Sequence, residues 1–337
     1  MNKILNVLNL HVKFHTLGGT LHAVRGIDFS LFEGETVGIV GESGCGKSAA
    51  AKALMQLHPR YSTELVGEIL YQDKNLLSFS EKKMQEIRGK EMGMIFQDPM
   101  TSLNPTTKIG RQIIEGYLRH FPKTPRNQAR LIAIEALRLV GIPHPEERFD
   151  DYPHTLSGGM RQRTMIALAL ACKPKILIAD EPTTALDVTI QAQILNLLKG
   201  IQQETKTTIL LITHDMSVVA KMCDRVMVMY AGRIVESAPV EQLFSSPEHP
   251  YTQRLLCAIP RLNQPKDHPL VPIEGTPPNL IHPLKGCAFC ARCSDPMKIC
   301  VENQPPLFNV HPLHFSSCFK HDPRYPGKKD LVKLAGG

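Results

Sequence analysis

Three short runs of mostly apolar residues along the chain predict strands buried on both faces of a sheet. They are Val37–Val40, Ile176–Ala179 and Thr208–Thr213, and such runs are typical of parallel strands. A glycine-rich segment follows the first run, Asp180–Glu181 follows the second, and His214–Asp215 follows the third. Because ligand-binding residues collect at the carboxyl ends of strands in an open α/β sheet, the pattern predicts a parallel sheet with one functional edge.

The spacing of apolar residues predicts helices between these strands. One helix is expected from about Lys47 to Leu57, and a long helical stretch from Ile109 to Cys172 is expected to break around Pro143–Ser157. Within Asn127–Val140 apolar residues recur at every third position, which indicates an amphipathic helix. These residues are Leu131, Ile134, Leu137 and Val140. We therefore predict an inserted helical subdomain over about residues 98–172.

The composition changes after about Val240. Prolines become frequent between Pro247 and Pro306, and cysteines gather between Cys287 and Cys318. Proline interrupts both helices and sheets, so little regular structure is expected there. The sequence predicts two domains, residues 1–240 and a loop-rich appendage over residues 241–337.

Length, composition and charge narrow the class of protein. With 337 residues and 42% hydrophobic residues the chain can bury a substantial core. The net charge of +7 leaves open a nucleic-acid partner or an anionic membrane, but only Lys328–Lys329 forms a dense basic segment, which favours a mildly basic protein. No apolar run approaches the roughly 20 residues of a membrane span, and no signal peptide is recognisable. We expect a cytosolic chain whose nine cysteines are thiols or metal ligands rather than disulfides.

The segment Gly41–Ser48 fits the pattern G-x-x-x-x-G-K-[ST] of a phosphate-binding loop. Its glycines let backbone N–H groups approach phosphate oxygens, and the following helix offers a positive N-terminus. Lys47 is expected to reach the β- and γ-phosphates and Ser48 to bind Mg²⁺. The side chain of Cys45 has no required role. The nucleotide contacts assigned to this segment are Gly41, Ser43, Gly44, Cys45, Gly46, Lys47, Ser48 and Ala49.

Polar residues at the other two strand ends complete the predicted catalytic set. Asp180 is expected on the Mg²⁺ side, and Glu181 is placed to activate the attacking water. His214 could touch the γ-phosphate. The alternatives are a carboxylate pair that caps a helix or pairs with lysine, and a structural histidine.

The segment Leu156–Arg163, LSGGMRQR, resembles the signature of the ATP-binding cassette (ABC) family. An ordinary helix capped by Ser157 is the alternative. Gln97 in IFQDP resembles the Q-loop glutamine of that family, Thr184–Asp187 resembles its D-loop, and His214 matches its switch histidine. The resemblance implies a P-loop NTPase parallel sheet with ABC-type antiparallel β-structure and an inserted α-helical subdomain.

The resemblance also implies that two chains share each ATP. Gln97 would join the Mg²⁺ ligands and the catalytic set of this chain's ATP. The partner's ATP would contact Ser157, Gly158, Gly159 and Asp187. Adenine would stack on an aromatic side chain near the N-terminus, either Phe14 or His22. One departure from the family pattern is Met160, which is common in peptide importers.

Further stretches resemble the D-type ATPase subunit of oligopeptide, dipeptide and nickel importers. They are Ile95–Pro105, Tyr152–Arg163, Ile178–Ile194, His249–Leu262, Ile273–Leu280 and Gly286–Cys293. The resemblance implies a peripheral ATPase at the cytoplasmic face of the membrane, with peptide import as its function and nickel import as the alternative. Its implied partners are a second, non-identical ATPase subunit, two permeases and, indirectly, an extracytoplasmic binding protein, with no nucleic acid. A soluble ABC ATPase that acts on DNA or ribosomes and an inactive scaffold are the rival hypotheses.

The cysteines of the appendage follow the spacing C-x5-C-x6-C-x17-C, formed by Cys287, Cys293, Cys300 and Cys318. In importers of this type that spacing implies an iron–sulfur cluster, [4Fe–4S], for which four thiolates are the usual ligands. A zinc site is the physical alternative and free thiols are a third interpretation. Cys290 is predicted not to be a ligand. Three further cysteines are predicted to pack in the protein interior, namely Cys172, Cys223 and Cys257.

Overall fold

The computed structural model describes residues 2–183, 187–258 and 273–324. The segments 184–186, 259–272 and 325–337, which include most of the predicted D-loop and Lys328–Lys329, lie outside them. The strands are β1 (Lys3–Thr16), β2 (Gly19–Phe32), β3 (Thr36–Val40), β4 (Thr63–Tyr71), β5 (Lys74–Asn75), β6 (Met92–Ile95), β7 (Ile176–Asp180), β8 (Thr208–Thr213), β9 (Arg225–Tyr230), β10 (Arg233–Pro239), β11 (Phe308–His311) and β12 (His314–Ser316).

The helices alternate with these strands along the chain. They are α1 (Lys47–Leu54), α2 (Glu81–Ile87), α3 (Pro99–Ser102), α4 (Ile109–His120), α5 (Arg126–Leu139), α6 (Pro145–Arg148), α7 (Gly158–Leu170), α8 (Val188–Thr205), α9 (Met216–Met222), α10 (Val240–Ser245), α11 (Pro250–Cys257) and α12 (Lys298–Glu302). Short 3₁₀ turns occur at Leu76–Ser78, Pro153–Thr155, Cys290–Arg292 and Phe319–His321. Within the described ranges no helix is both long and apolar enough to cross a bilayer.

The chain divides into two compact units, each built from several stretches of sequence. Unit 1 comprises residues 1–4, 31–36 and 78–212. Unit 2 comprises residues 5–30, 37–77 and 213–337. The predicted catalytic carboxylates and the signature segment belong to unit 1, whereas the phosphate-binding loop and the cysteine-rich appendage belong to unit 2.

Unit 1 combines a parallel sheet with the predicted helical insertion. Strand β7 pairs in parallel with β6 on one side and with β8 on the other. Helices α4, α5 and α7 contact one another. The fully buried run of β7 fits a strand covered on both faces, as the sequence predicted.

Helix α5 confirms the predicted amphipathic helix and all but one residue of its predicted apolar face. Ile134, Leu137 and Val140 are buried, whereas Leu131 is 67% exposed. The buried face is completed by alanines on α5, Ala129, Ala133 and Ala136. A strict three-residue repeat drifts around a helix of 3.6 residues per turn, so Leu131 falls on the solvent side.

Unit 2 contains two sheets. In the first, β3 pairs in parallel with β9, β9 pairs antiparallel with β10, and β10 pairs antiparallel with β12. In the second, β1 lies between β2 and β4 and pairs antiparallel with β4. These antiparallel strands match the antiparallel β-structure implied by the family resemblance.

Two predictions about secondary structure need correction, namely the end of helix α1 and the amount of regular structure after Val240. Helix α1 ends at Leu54 rather than Leu57, because Met55 leaves the helical conformation and Gln56 has a φ of 48°. The region after Val240 has more regular structure than its prolines suggested. Helices α10, α11 and α12 and the strand pair β11–β12 form there, and β12 adds directly to β10. The aromatic and aliphatic side chains of this region bury against β9 and β10 and thereby supply the core that the composition seemed to lack.

Candidate functional site

The phosphate-binding loop between β3 and α1 depends on its glycines. Gly41, Gly44 and Gly46 have φ angles of 154°, 77° and 105°, in the region that side-chain-bearing residues rarely adopt. A Cβ on Gly41 would lie 2.1 Å from the Met229 carbonyl oxygen, and one on Gly46 would lie 2.3 Å from the Ala23 carbonyl oxygen. Only glycine fits at these two positions, so the loop can bring its backbone close to an anion.

Lys47, at the start of α1, lies folded back onto the loop that it follows. Its side chain is almost fully buried, and its Nζ donates to the carbonyl oxygens of Gly41 at 2.8 Å and Glu42 at 3.0 Å. The Sγ of Cys45 is 3.9 Å away, and burial raises the pKa of that thiol. Gly46 is the N-cap of α1 and offers no side-chain hydrogen bond, and Ser48 and Ala49 follow Lys47 in the first turn of that helix.

Glu42, the second residue of the loop, is held by residues that sequence reasoning did not identify. Its carboxylate pairs with Arg292 of the appendage, and its backbone N–H donates to the hydroxyl of Tyr251 on α11. A lone arginine between two cysteines carries no sequence signal for such a role, because the contact spans 250 residues.

In unit 1 the strand end after β7 brings two predicted residues together. Asp180 is the last residue of β7 and is 2% exposed. Glu181 has a φ of 47°, and its N–H donates to the Ile212 carbonyl oxygen at 2.9 Å. The Nε2 of Gln97 donates to the Glu181 Oε2 at 3.1 Å. A left-handed non-glycine residue costs about 1–3 kcal/mol and is typical of functional sites, which agrees with a special role for Glu181.

The signature segment begins helix α7. The Ser157 side chain accepts a hydrogen bond from the Met160 N–H at 3.3 Å, which is the geometry of a helix cap. No atom lies within 4 Å of a Cβ built on Gly158, so space is open above the helix N-terminus. Gly159 is closer to its surroundings, since a Cβ there would lie 3.1 Å from the Ile190 side chain. Ser157 can therefore cap α7 while the space beside Gly158 at the helix N-terminus stays open to an anion.

Two further predicted site residues, Asp187 and His214, lie at or just before the start of a helix. Asp187, the last D-loop residue and the one within the described ranges, caps α8 by accepting from the Ile190 N–H at 2.9 Å. His214 follows β8 in unit 2 and is exposed. Its neighbour Asp215 caps α9 by accepting from the Ser217 N–H at 2.8 Å.

Neither residue predicted to stack on adenine faces the cavity that adjoins the loop. The Phe14 ring meets His58 edge-on at 5.0 Å, and the His22 ring stacks on His11 at 5.2 Å. A cavity of about 210 Å³ beside the loop is lined instead by loop residues and by apolar residues of β2, β9 and the appendage. Those lining residues include Glu42, Ser43, Gly44, Cys45, Leu21, Tyr230 and the segment 277–280.

Five of the six cysteines of the appendage surround one small cavity of about 20 Å³. They are Cys287, Cys290, Cys293, Cys300 and Cys318. Burial raises the pKa of each thiol, that of Cys287 to about 12 and those of Cys290 and Cys318 to about 11. The thiols are therefore protonated at neutral pH in the absence of a bound cation.

Two kinds of site could use these thiols, a zinc ion or an iron–sulfur cluster. Across the described ranges, no group of three or more His, Cys, Asp or Glu side chains converges closely enough to hold one metal ion. A tetrahedral zinc ion requires four ligand atoms about 2.0–2.3 Å from one point. An iron–sulfur cluster also takes four thiolates as its usual ligands. At about 20 Å³ the cavity would have to widen to hold a cluster.

The remaining cysteines differ in their surroundings. All nine are free thiols in this structure. Cys223 packs beneath β3, where its Sγ is 3.0 Å from a Cβ built on Gly38. Cys172 is half-buried, and burial raises its pKa to about 11. Cys257 is exposed, so its predicted role in packing was wrong; it lies on the outer face of the short helix α11.

Comparisons with known families match both halves of the chain. Residues 24–184 match the ABC transporter family, and residues 235–300 match the C-terminal region of oligopeptide/dipeptide transporters. Among solved structures, a dimeric ATP-binding cassette with bound ADP and Pi in a post-hydrolysis state is similar, with a TM-score of 0.63 and 25% identity. The similarity covers 70% of this chain and 98% of that one.

Curated relatives are similar over nearly the whole chain. The oligopeptide transport ATP-binding protein OppD of Bacillus subtilis is 52% identical over 97% of this chain and 91% of its own length. The dipeptide transport ATP-binding protein DppD of the same organism is 52% identical over 96% of both chains. OppD of Haemophilus influenzae is 50% identical over 87% of this chain and 90% of its own length. Because about half of its residues are identical to these proteins over nearly its whole length, the chain belongs to the ATP-binding subunits of the oligopeptide/dipeptide group of ABC transporters.

Proposed function

We propose that this chain binds and hydrolyses MgATP and couples the hydrolysis to peptide import across a membrane. The observation that carries the proposal is that the chain matches the peptide-transporter group in both regions, residues 24–184 and 235–300. The first region supplies ATP chemistry, and the second distinguishes this group from other ABC ATPases. Relatives named for oligopeptide or dipeptide transport support peptides as the cargo.

The proposed roles follow from the chemistry of each side chain. On ATP binding the Lys47 ammonium exchanges its bonds to loop carbonyls for bonds to the β- and γ-phosphates. Ser48, Asp180 and Gln97 are the proposed ligands of Mg²⁺, which when bound offsets phosphate charge. Glu181 takes a proton from the water that attacks the γ-phosphorus, and ADP leaves.

His214 is proposed to contact the γ-phosphate of the same ATP. Ser157, Gly158, Gly159 and Asp187 would serve the ATP of a second ATPase subunit, so hydrolysis requires a dimer. Phe14 remains the prediction for adenine stacking. Leu21 is a further candidate, because it lines the cavity beside the loop.

A basic groove in unit 1 is the proposed docking surface for a permease. The groove has a volume of about 1200 Å³, and its cationic side chains outnumber its acidic ones. The lysine and arginine side chains of the lining are Lys82, Lys90, Arg111, Arg119 and Arg126, and the acidic ones are Glu86 and Glu115. Such a surface fits an acidic cytoplasmic segment of a permease. We therefore propose peripheral attachment at the cytoplasmic face, beside a second, non-identical ATPase and two permeases, with cargo delivered by an extracytoplasmic binding protein.

We further propose that Cys287, Cys293, Cys300 and Cys318 hold a [4Fe–4S] cluster, with Cys290 as a nearby non-ligand. The support is the set of thiols around one cavity. When bound, such a cluster supplies four-way crosslinking and an electron-accepting centre. The chain's contribution is to bring ligands that are 31 residues apart in sequence to one place.

The decisive test is transport by the assembled importer. The chain would be reconstituted with its permeases, its partner ATPase and the cognate binding protein, and uptake of dipeptides, longer peptides and nickel chelates would be compared. Peptide uptake that requires ATP supports the proposal. Uptake of nickel alone, or recovery of the chain on nucleic acid in a salt-sensitive manner rather than with permeases, would contradict it.

A further inference from the structure

The guanidinium of Arg292 has an acceptor for each of its five N–H groups. Nη1 donates to the Glu42 Oε2 at 2.7 Å and to the Tyr230 hydroxyl at 3.3 Å. Nη2 donates to the Glu42 Oε1 at 2.9 Å and to the Ile273 carbonyl oxygen at 3.1 Å. Nε donates to the Glu274 carbonyl oxygen at 2.8 Å. The Arg292 side chain is 4% exposed and that of Glu42 is 26% exposed, so this is a partly buried, bidentate ion pair rather than a surface contact.

Glu42 is fixed at its backbone as well as at its carboxylate. Its N–H donates to the Tyr251 hydroxyl at 2.9 Å, and its carbonyl oxygen accepts from the Lys47 Nζ at 3.0 Å. Tyr251 is itself immobilised, because it is fully buried with its ring 4.6 Å from that of Tyr230 and 5.4 Å from that of Phe289. The first half of the phosphate-binding loop is therefore held in place by the appendage.

Arg292 is also adjacent in sequence to residues that line the thiol cavity, among them Cys290 and Cys293. It ends the 3₁₀ turn Cys290–Arg292, in which its N–H donates to the Phe289 carbonyl oxygen at 2.9 Å. The next residue, Cys293, donates its N–H to the Cys290 carbonyl oxygen at 3.3 Å. The turn and the residue after it thus carry Arg292, which binds Glu42 of the phosphate-binding loop, and Cys290 and Cys293, which line the cavity.

We propose that Arg292 is a positioning residue for the nucleotide, acting through Glu42. The inference rests on the proposed function, since it concerns the same ATP site. A loop that cradles phosphates must hold its N–H groups in place before the ligand arrives, and it must not present an uncompensated negative charge to a polyanion. Arg292 meets both requirements, because it fixes the Glu42 side chain and neutralises its carboxylate.

The test measures the ATP affinity of the full-length chain and the steady-state turnover of that chain assembled with its partner ATPase. Arg292→Gln is expected to raise the Kd and the KM for MgATP about tenfold while kcat changes less than about threefold, as the loss of one charge-assisted pair predicts. The double variant Arg292→Gln with Glu42→Gln is expected to bind ATP no more weakly than Arg292→Gln alone, because the unpaired carboxylate is gone. Strictly additive losses, or an unchanged Kd in Arg292→Gln, would overturn the proposal.

Control variants separate this role from folding. Arg138→Gln removes an arginine whose side chain is 53% exposed and pairs with surface glutamates, and ATP affinity should not change. If Arg292→Gln does not fold, Tyr251→Phe serves instead, since it deletes only the hydroxyl that accepts from the Glu42 N–H. It should weaken ATP binding about threefold through the loss of one hydrogen bond, and an unchanged Kd would count against the inference. Failure of the unmodified chain to bind ATP would instead refute the proposed function.

Discussion

Gln97 and Glu181 lie side by side in unit 1, with the Gln97 Nε2 donating to the Glu181 Oε2 at 3.1 Å. The two residues are 84 positions apart in sequence. This hydrogen bond orients the Glu181 carboxylate, which we propose activates the attacking water. Its donor, Gln97, is a proposed ligand of Mg²⁺. A change at either residue should therefore affect turnover more than ATP binding.

Glu181→Gln is expected to lower ATP turnover by about 100-fold or more while ATP affinity is retained, because an amide cannot accept the proton of the attacking water. Phosphate release and nucleotide binding would be measured on the same preparation. Glu135→Gln, at a position 70% exposed, is the matched control and should turn over normally. Undiminished turnover in Glu181→Gln would remove this residue from its role.

Lys47→Met is expected to weaken ATP binding at least about tenfold, because the loss of the ammonium removes a charge-assisted contact to the phosphates. The loop should also loosen, since the Nζ bonds to Gly41 and Glu42 disappear. Titration with a fluorescent ATP analogue measures the affinity. Lys74→Met, on the exposed strand β5, is the control, and equal affinities of the two variants would contradict the prediction.

His249 makes the stability of unit 2 sensitive to acid. Burial lowers its pKa from 6.5 to about 3, and its Nδ1 accepts from the Tyr251 N–H at 3.1 Å. The unfolded chain therefore binds a proton between about pH 6.5 and pH 3 that the folded chain does not. The contribution of neutral His249 is complete above pH 6.5 and is lost as the pH falls through that range, by at most about 1.4 kcal/mol per unit.

Comparison with His249→Asn tests this pH dependence, because asparagine keeps an acceptor but does not titrate. Free energies of unfolding would be measured by denaturant titration between pH 7.5 and pH 4.5. The unmodified chain should lose more stability than the variant over this interval. Parallel pH profiles for the two proteins would show that His249 does not titrate differently on folding.

Cys318→Ser and Cys293→Ser are each expected to lower the iron content and the visible absorbance of the anaerobically purified chain, because each removes a proposed cluster ligand. Cys290→Ser is the matched control. Its thiol lines the same cavity but is not assigned as a ligand, so iron should be retained. A colourless preparation with stoichiometric zinc would replace the cluster by a zinc site.

The sequence predicted the elements that local pattern controls. The apolar runs gave β3, β7 and β8 within one residue, because a fully buried parallel strand leaves a continuous apolar signature. The phosphate-binding loop was recognisable because its glycines are required by backbone geometry. Leu131 was misassigned because periodicity alone does not register the small alanines that complete the buried face of α5.

Long-range contacts could not be predicted from the sequence, for a different reason. The pairing of Arg292 with Glu42 depends on the packing of the appendage around Tyr251, Tyr230 and Phe289, and no local spacing encodes it. The strand β12 was likewise hidden, since three residues between prolines and cysteines do not form a periodic pattern. Aromatic residues scattered through a proline-rich segment were the available signal of a packed core.

The 3₁₀ turn Cys290–Arg292 links the thiol cavity to the phosphate-binding loop, because Cys290 lines the cavity and Arg292 binds Glu42 of the loop. Any occupant of the thiol cavity that shifts this turn changes ATP affinity by some factor, and thermodynamic linkage requires ATP to change the occupant's affinity by the same factor. The proposed cluster and ATP would then each be bound more tightly, or each more weakly, in the presence of the other.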